Sequence, residues 1–217
     1  MSLVLYRLLL RLGLPVMAIR QWLHHRGETG RHADWREFFG YYSGRSIRSI
    51  VWLHAASANA ALAAVPLTRV LRTRYPDHDI LITSGTIPGR EALRRTFGDA
   101  VLLAYLPYDL PGVARRFLEH FQPRLGVVIG VDVWPVLLAA CRRRGIPMML
   151  ANARLSGGLA RSYARFGALS RSAFGSFAAS CAQDRATSLR LRGLGAQNVA
   201  VTGNIIFDAP SDPDRVE

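Results

Sequence analysis

Residues 49–84, SIVWLHAASANAALAAVPLTRVLRTRYPDHDILITS, decide the fold class of this chain. The apolar run SIVWLHA predicts a buried strand, and after a short turn the alanine- and leucine-rich segment predicts a helix that ends near Pro76. A second apolar run, DILITS, predicts the next strand. Strand, helix and strand in this order indicate a βαβ unit, whose two strands are parallel in one sheet.

The same alternation continues to residue 208. Five further apolar runs predict strands, with helical segments between them: AVLLAYLP, LGVVIGVDV, IPMMLANA, SFAASCA and NVAVTGN. We therefore expect an α/β fold over residues 48–208, a Rossmann-like, doubly wound, mostly parallel sheet, with residues 209–217 as a tail. In such sheets the loops at the carboxyl ends of the strands carry the function.

The charge of the chain indicates an anionic partner. The 217 residues carry a net charge of +13, and all 28 basic residues are arginine, whose guanidinium suits phosphate and carboxylate. Nucleic acid is not favoured, because no zinc-finger spacing, RNA-binding aromatic motif or basic heptad helix occurs. No glycine-rich nucleotide motif follows the first strand, and the two cysteines lie outside any metal-ligand spacing, so neither a cofactor nor a metal is expected.

Residues 1–47 are predicted to form an amphipathic, membrane-anchoring helix and a linker. Arg7 and Arg11 share one helical face, leucines lie largely opposite, and Trp22 follows near the end. This pattern suits a helix lying in a lipid headgroup layer. The alternative is a helix packed on the domain or on a partner. No uninterrupted span of about 20 apolar residues is present.

Two loops offer groups that bind anions. Thr83 and Ser84 precede a helix in TSGTIPG, where backbone N–H groups would hold a phosphate or, equally, a cap would close the helix. Asn152, Arg154 and Ser156 follow a strand, and an arginine at that position favours an anion contact. Together with Ser57 and Asn59 in the turn after the first strand, these five residues are the predicted ligand-binding set.

Other polar residues have plainer interpretations. Asp109 is predicted to cap the helix that follows it, and His54 to be a hydrogen-bonded structural histidine. Asp132 is the carboxylate in the middle of the sheet edge, and Trp134 is expected to pack beside it. Paired carboxylates for acid–base catalysis are absent from these loops.

Several motifs together resemble the 3-deoxy-D-manno-octulosonic acid (Kdo) transferases of lipopolysaccharide synthesis. They are WREFFGYY, YLPYDLP, VWP after a strand, ANARLS and VTGNIIFD. The resemblance implies the N-terminal half of a GT-B glycosyltransferase, on the cytoplasmic face of the bacterial inner membrane. That half binds the lipid A precursor, an anionic glycolipid, whereas the C-terminal half binds the donor CMP-Kdo. This chain is expected to lack the donor half, which a separate partner would have to supply.

The resemblance also assigns site positions, and three of them lack the family's charged group. In the family loop Ser-x-Gly-Glu, the glutamate is the base; here Ser57 is kept, but Asn59 and Ala60 replace Gly and Glu. Two stabilising positions, a glutamate and a lysine, are Gly130 and Ile206. Asp132 keeps a shorter acid. The sequence thus leaves two hypotheses: the acceptor half of a transferase, or an inactive relative that binds a glycolipid or a protein.

Overall fold

The structure, a computed structural model, describes residues 3–6, 8, 10, 35–44 and 48–208. Seven strands form one sheet in the order β3-β2-β1-β4-β5-β6-β7, and every neighbouring pair is parallel. The predicted Rossmann-like α/β fold is therefore confirmed. The strands are β1 Ser49–Ala55, β2 His78–Ser84, β3 Leu102–Tyr105, β4 Pro123–Ile129, β5 Met148–Ala153, β6 Ala179–Ala182 and β7 Val199–Val201.

Helices connect successive strands. They are α1 Ala58–Arg74, α2 Ile87–Phe97, α3 Pro111–Phe121, α4 Pro135–Arg143, α5 Gly157–Arg165, α6 Ala168–Phe174 and α7 Arg185–Gly193, with 3₁₀ helices at Trp35–Phe39 and Ile205–Asp208. Between β5 and β6, the helical segment expected from the sequence is divided into two helices. Gly167, with φ of +53°, breaks the stretch in a conformation that favours glycine.

Two apolar clusters cover the two faces of the sheet. Trp52 and Phe117, 5.0 Å apart between ring centroids, belong to the cluster beneath α3 and α4. Leu53 and Ala63 belong to the cluster beneath α1 and α2. Gly126 in β4 permits the first arrangement, because a Cβ there would lie 2.9 Å from the Trp52 ring and 2.4 Å from the Met148 sulfur.

The strand order reverses between β1 and β4. From β1 the chain moves outward through β2 to β3, and it then returns to β4 on the other side of β1. The two strands pair in register, with His54 opposite Val128 and Ala55 opposite Ile129 at their carboxyl ends. Loops that leave such a reversal diverge to opposite faces and open a crevice, which is where this fold class binds ligands.

Residues 35–44 dock on β3 through a buried carboxylate. Glu37 accepts hydrogen bonds from the Arg90 guanidinium at 3.1 Å and from the Tyr105 backbone N–H at 2.7 Å. The Arg90 guanidinium also lies over the Tyr105 ring, 4.5 Å from its centroid. Phe38 stacks on the same ring at 4.5 Å. The segment is therefore attached to the domain by charge and by aromatic packing.

The described residues at the start of the chain are helical and contact the domain. Leu3 and Tyr6 pack against the core, and the Tyr6 hydroxyl interacts with the Asp109 carboxylate. Val4, Leu5 and Leu8 are exposed. The membrane residues predicted from sequence, Arg7, Arg11 and Trp22, lie outside the described residues. None of the helices in the described part of the chain is long and apolar enough to span a membrane.

Candidate functional site

His54 lies at the point where the strand order reverses. It is 1% exposed at the end of β1, and its Nδ1 is 3.0 Å from the Thr83 hydroxyl oxygen on β2. The same oxygen accepts a hydrogen bond from the Trp52 indole N–H at 2.8 Å. Interior groups of β1 and β2 thus fix the imidazole, so the prediction of a hydrogen-bonded histidine agrees with the geometry.

Asp132 faces the other nitrogen of this imidazole. The His54 Nε2 lies 3.6 Å from the Asp132 Oδ2, and the Asp132 side chain is 39% exposed. Trp134 packs edge-to-face on His54, with ring centroids 6.3 Å apart. Burial and the nearby Asp132 carboxylate raise the pKa of Tyr163. The crevice between β1 and β4 therefore holds an accessible carboxylate, an imidazole and two aromatic rings.

The buried nitrogens of this crevice are incompletely paired. Among the described residues, neither the His54 Nε2 nor the Trp134 Nε1 has a hydrogen-bond partner, and both are buried. Buried polar groups in folded proteins are usually paired, so these two nitrogens are available to a hydrogen-bonding group at this edge of the sheet.

Asp109 has a different role from the one predicted. It does not cap α3, whose first turn has Leu110 at the N-cap position without a side-chain hydrogen bond. Its carboxylate instead accepts from the backbone N–H groups of Val136 at 3.0 Å and Leu137 at 2.7 Å, at the start of α4. The pairing joins residues 27 and 28 positions apart, so local spacing could not reveal it.

Thr83 and Ser84 are fully buried. The Thr83 hydroxyl contacts the His54 Nδ1. The Ser84 hydroxyl forms hydrogen bonds with the backbone of Thr86, two residues later. Thr86 in turn caps α2 by accepting from the Gly89 N–H at 3.2 Å. The structure therefore shows helix capping in this loop, and the predicted ligand contact of Thr83 and Ser84 stays a prediction.

The loop after β5 presents one exposed cation. Asn152 is buried with φ of +52°, and its side-chain oxygen accepts from the Gln183 amide at 3.0 Å and the Ile205 N–H at 3.2 Å. Ser156 caps α5. Arg154 is exposed, and none of the described residues forms an ion pair or hydrogen bond with it. Of the three predicted residues, Arg154 is the one whose side chain is available.

Apolar groups occupy two of the positions where the resemblance places charged residues. Ser57 caps α1 by accepting from the Ala60 N–H at 3.2 Å, and Asn59 beside it is exposed. Ala60 and Ile206 both pack against the cluster beneath α1 and α2, and the Ile205–Asp208 helix contacts α1. Ala60 and Ile206 therefore make this part of the candidate site apolar.

Gly130, the third altered position, lies in the crevice loop. Its φ is +95°, and a Cβ built on it would meet no atom within 4 Å. Space is available for a side chain, but the backbone conformation is one that an L-residue adopts only with strain. Restoring glutamate here would therefore require the loop to change conformation.

The opposite, amino edge of the sheet carries an open groove of about 770 Å³. Arg48, Arg124 and Arg144 line it, together with Glu119, which pairs with Arg144 at 3.1 Å. This groove is remote from the carboxyl ends of the strands. No cluster of side chains suited to hold a metal ion occurs within the described ranges of the chain.

Solved structures support the fold. The UDP-GlcNAc 2-epimerase from Neisseria meningitidis, bound to UDP-GlcNAc, matches with a TM-score of 0.53 and 18% identity, over 74% of this chain and 48% of that chain. The S. aureus MnaA–UDP structure matches with a TM-score of 0.55 and 14% identity, over 79% and 50%. At these identities the likeness concerns architecture alone.

Sequence relatives identify the family. The 3-deoxy-D-manno-octulosonic acid transferase of Bordetella pertussis is 36% identical over 215 residues, which are 94% of this chain and 49% of that protein. The enzyme of Haemophilus influenzae is 36% identical over 176 residues, 79% of this chain and 41% of that protein. The chain thus spans less than half the length of either relative. A family model described as 3-deoxy-D-manno-octulosonic-acid transferase matches residues 33–209, and the chain belongs to that family.

Proposed function

We propose that this chain is the acceptor-binding half of a Kdo transferase-like glycosyltransferase of lipopolysaccharide synthesis. Its ligand is an anionic glycolipid, the lipid A precursor, at the cytoplasmic face of the inner membrane. The donor CMP-Kdo would be bound by the C-terminal half of the GT-B fold. The observation that supports this best is the crevice between β1 and β4, where Asp132 is accessible beside Trp134 and where the loop after β5 exposes Arg154.

The chemistry of these groups suits a phosphorylated sugar. A carboxylate accepts hydrogen bonds from sugar hydroxyls, an aromatic ring packs on the apolar face of a sugar ring, and a guanidinium pairs with phosphate in a bidentate geometry. The excess of arginine over the whole chain would add attraction to an anionic membrane surface.

A second candidate is a related protein that binds the acceptor without transferring Kdo. Ala60 and Ile206 favour it, because a base and a cation of the family are replaced by side chains that pack with the apolar cluster. Loss of a positioned general base typically lowers a rate by a factor of roughly 10² to 10⁴. The two candidates share acceptor binding and differ in catalysis.

An assay of Kdo transfer separates them. The purified chain is mixed with CMP-Kdo and lipid A precursor, with and without a separately expressed donor-binding half from a relative. The inactive candidate predicts no transfer in either mixture, whereas transfer that appears only with the donor half would favour a split enzyme. Transfer by the chain alone would contradict the inactive candidate.

A second experiment restores the family's sequence in the loop after β1 and repeats the transfer assay. In the double substitution Asn59→Gly with Ala60→Glu, the new carboxylate would stand three residues after Ser57. There it would complete a capping box at the start of α1, so the fold should tolerate it. We expect little recovered transfer, because Gly130 and Ile206 remain. Recovery to the activity of an intact relative would show that the base alone was missing.

Membrane association is tested separately. The full chain is expected to bind vesicles that contain anionic lipid, and the substitution of Arg7 and Arg11 by glutamine should weaken that binding by removing two attractive charges. Neutral vesicles are the control. Equal binding of the variant and the unchanged chain to anionic vesicles would contradict the role assigned to these arginines.

A further inference from the structure

We infer that His54 is a positioning residue. Hydrogen bonds from Trp52 through Thr83 hold its imidazole, and the imidazole in turn orients the Asp132 carboxylate toward the bound sugar. The inference rests on the proposed acceptor-binding function for the identity of the ligand. The arrangement of the side chains themselves does not depend on that proposal.

Along this series of side chains, exposure to solvent increases from the interior to the surface. Trp52, Thr83 and His54 are 2%, 0% and 1% exposed, whereas the Asp132 side chain is 39% exposed. A ligand can therefore reach the carboxylate, while the imidazole acts from behind it. This order distinguishes His54 from a residue that would itself touch the ligand.

Asp132 differs from the other carboxylates that follow strands at this edge. The Asp109 carboxylate accepts hydrogen bonds from two backbone N–H groups at the start of α4. The Asp184 carboxylate accepts a hydrogen bond from the Thr187 N–H at 2.6 Å. No described residue donates a hydrogen bond to Asp132, and His54 is the one basic side chain among them within 4 Å of its carboxylate. Its oxygens are consequently free to accept from a sugar hydroxyl.

The contacts of His54 favour one of its two neutral tautomers. The Thr83 oxygen accepts from Trp52, and its own proton can go to the His54 Nδ1 at 3.0 Å or to the Leu53 carbonyl at 3.4 Å. The shorter contact favours Nδ1 as the acceptor. The imidazole proton then lies on Nε2, which faces Asp132, and the carboxylate favours the same tautomer.

The separation of 3.6 Å between Nε2 and Oδ2 is longer than a hydrogen bond but attractive for an N–H dipole and a carboxylate. Such contacts commonly shorten when a ligand binds. An apolar side chain would fill this buried strand end without leaving a polar nitrogen unpaired. An imidazole there is therefore better explained by the carboxylate that it faces than by packing.

Two substitutions separate positioning from packing. Asparagine at position 54 places a polar group near the site of Nδ1, so His54→Asn retains a partner for Thr83 and loses the donor toward Asp132. Glutamine reaches the site of Nε2, so His54→Gln retains that donor and gives up the contact with Thr83. Packing alone predicts no preference for glutamine in ligand binding.

The measurement is calorimetric binding of a deacylated glucosamine disaccharide bisphosphate to the full chain. We expect His54→Asn to weaken binding about tenfold, as for the loss of one charge-assisted hydrogen bond, and His54→Gln to retain most of the affinity. When Asp132→Asn is also present, His54→Asn and His54→Gln should bind the disaccharide with equal affinity. Glu119→Gln, at the amino edge, is the control and should bind as the unchanged chain does.

The ring nitrogens of His54 give a test that needs no ligand. In ¹⁵N NMR spectra in mildly alkaline buffer, we expect Nε2 to carry the proton and Nδ1 to be bare. A proton on Nδ1, or equal binding by His54→Asn and His54→Gln, would overturn the positioning role. Absence of disaccharide binding by the unchanged chain would instead overturn the proposed acceptor, while the tautomer would still decide the arrangement around His54.

Discussion

Replacement of Asp109 by asparagine is expected to destabilise the fold more than the replacement of any surface cap. Asp109 is 4% exposed, and its two carboxylate oxygens accept from two N–H groups at the start of α4, at 3.0 and 2.7 Å. Tyr6 is a further partner. The substitution conserves the volume and replaces one acceptor oxygen with an NH₂ group, which faces an N–H donor.

The loss can be worked from these contacts. A hydrogen bond to a charged group contributes about 1.5–3 kcal/mol, and a charge at a partly buried helix N-terminus up to about 2 kcal/mol. Because asparagine retains one acceptor and no charge, we expect Asp109→Asn to lower the free energy of unfolding by about 2–3 kcal/mol. Asp109→Ala should cost more, since both N–H groups would remain buried without an acceptor.

Urea unfolding followed by circular dichroism measures this difference by linear extrapolation. Asp184→Asn is the matched control, because Asp184 also caps a helix but is exposed and local to it. The reasoning is refuted if Asp109→Asn lowers the midpoint no further than Asp184→Asn does.

Three other predictions follow from buried or capping groups. Glu37→Gln should lower the free energy of unfolding by about 2 kcal/mol, measured by urea titration, because the Arg90 guanidinium would lose its negatively charged partner. The hydrogen bond from Thr187 holds the pKa of Asp184 below its usual value of 3.8. The stability difference between the unchanged chain and Asp184→Asn should therefore be full above about pH 4 and should shrink as the pH falls further, in acid unfolding curves. Burial raises the pKa of Cys141 to about 12, so iodoacetamide followed by mass spectrometry should label Cys181 first.

The sheet could be predicted from sequence because it depends on local patterns. Apolar runs such as SIVWLHA and DILITS became β1 and β2, and prolines and glycines marked most helix ends. The break between α5 and α6 was missed, since Gly167 lies in an otherwise helical pattern. A glycine inside such a pattern indicates no break by itself.

The site was predicted in part, for a physical reason. The loops at the carboxyl ends of strands are visible in the sequence, so Asp132 and Arg154 could be singled out. The partners of His54 lie on β2 and in the loop after β4, and the N–H groups that donate to Asp109 lie 27 and 28 residues further along the chain. Such pairings follow from the strand order and not from spacing. A polar residue at the end of a buried strand, such as Thr83, is the signal that could have suggested them.

NMR mapping of the disaccharide bisphosphate on the isotopically labelled chain tests the central claim most directly. The claim is that the crevice between β1 and β4 is the acceptor site. We predict saturable shifts at Asp132, Trp134 and Arg154, with the amino edge unchanged. Shifts confined to Arg124 and Arg144 in the groove at the amino edge, or no shifts at all, would contradict it.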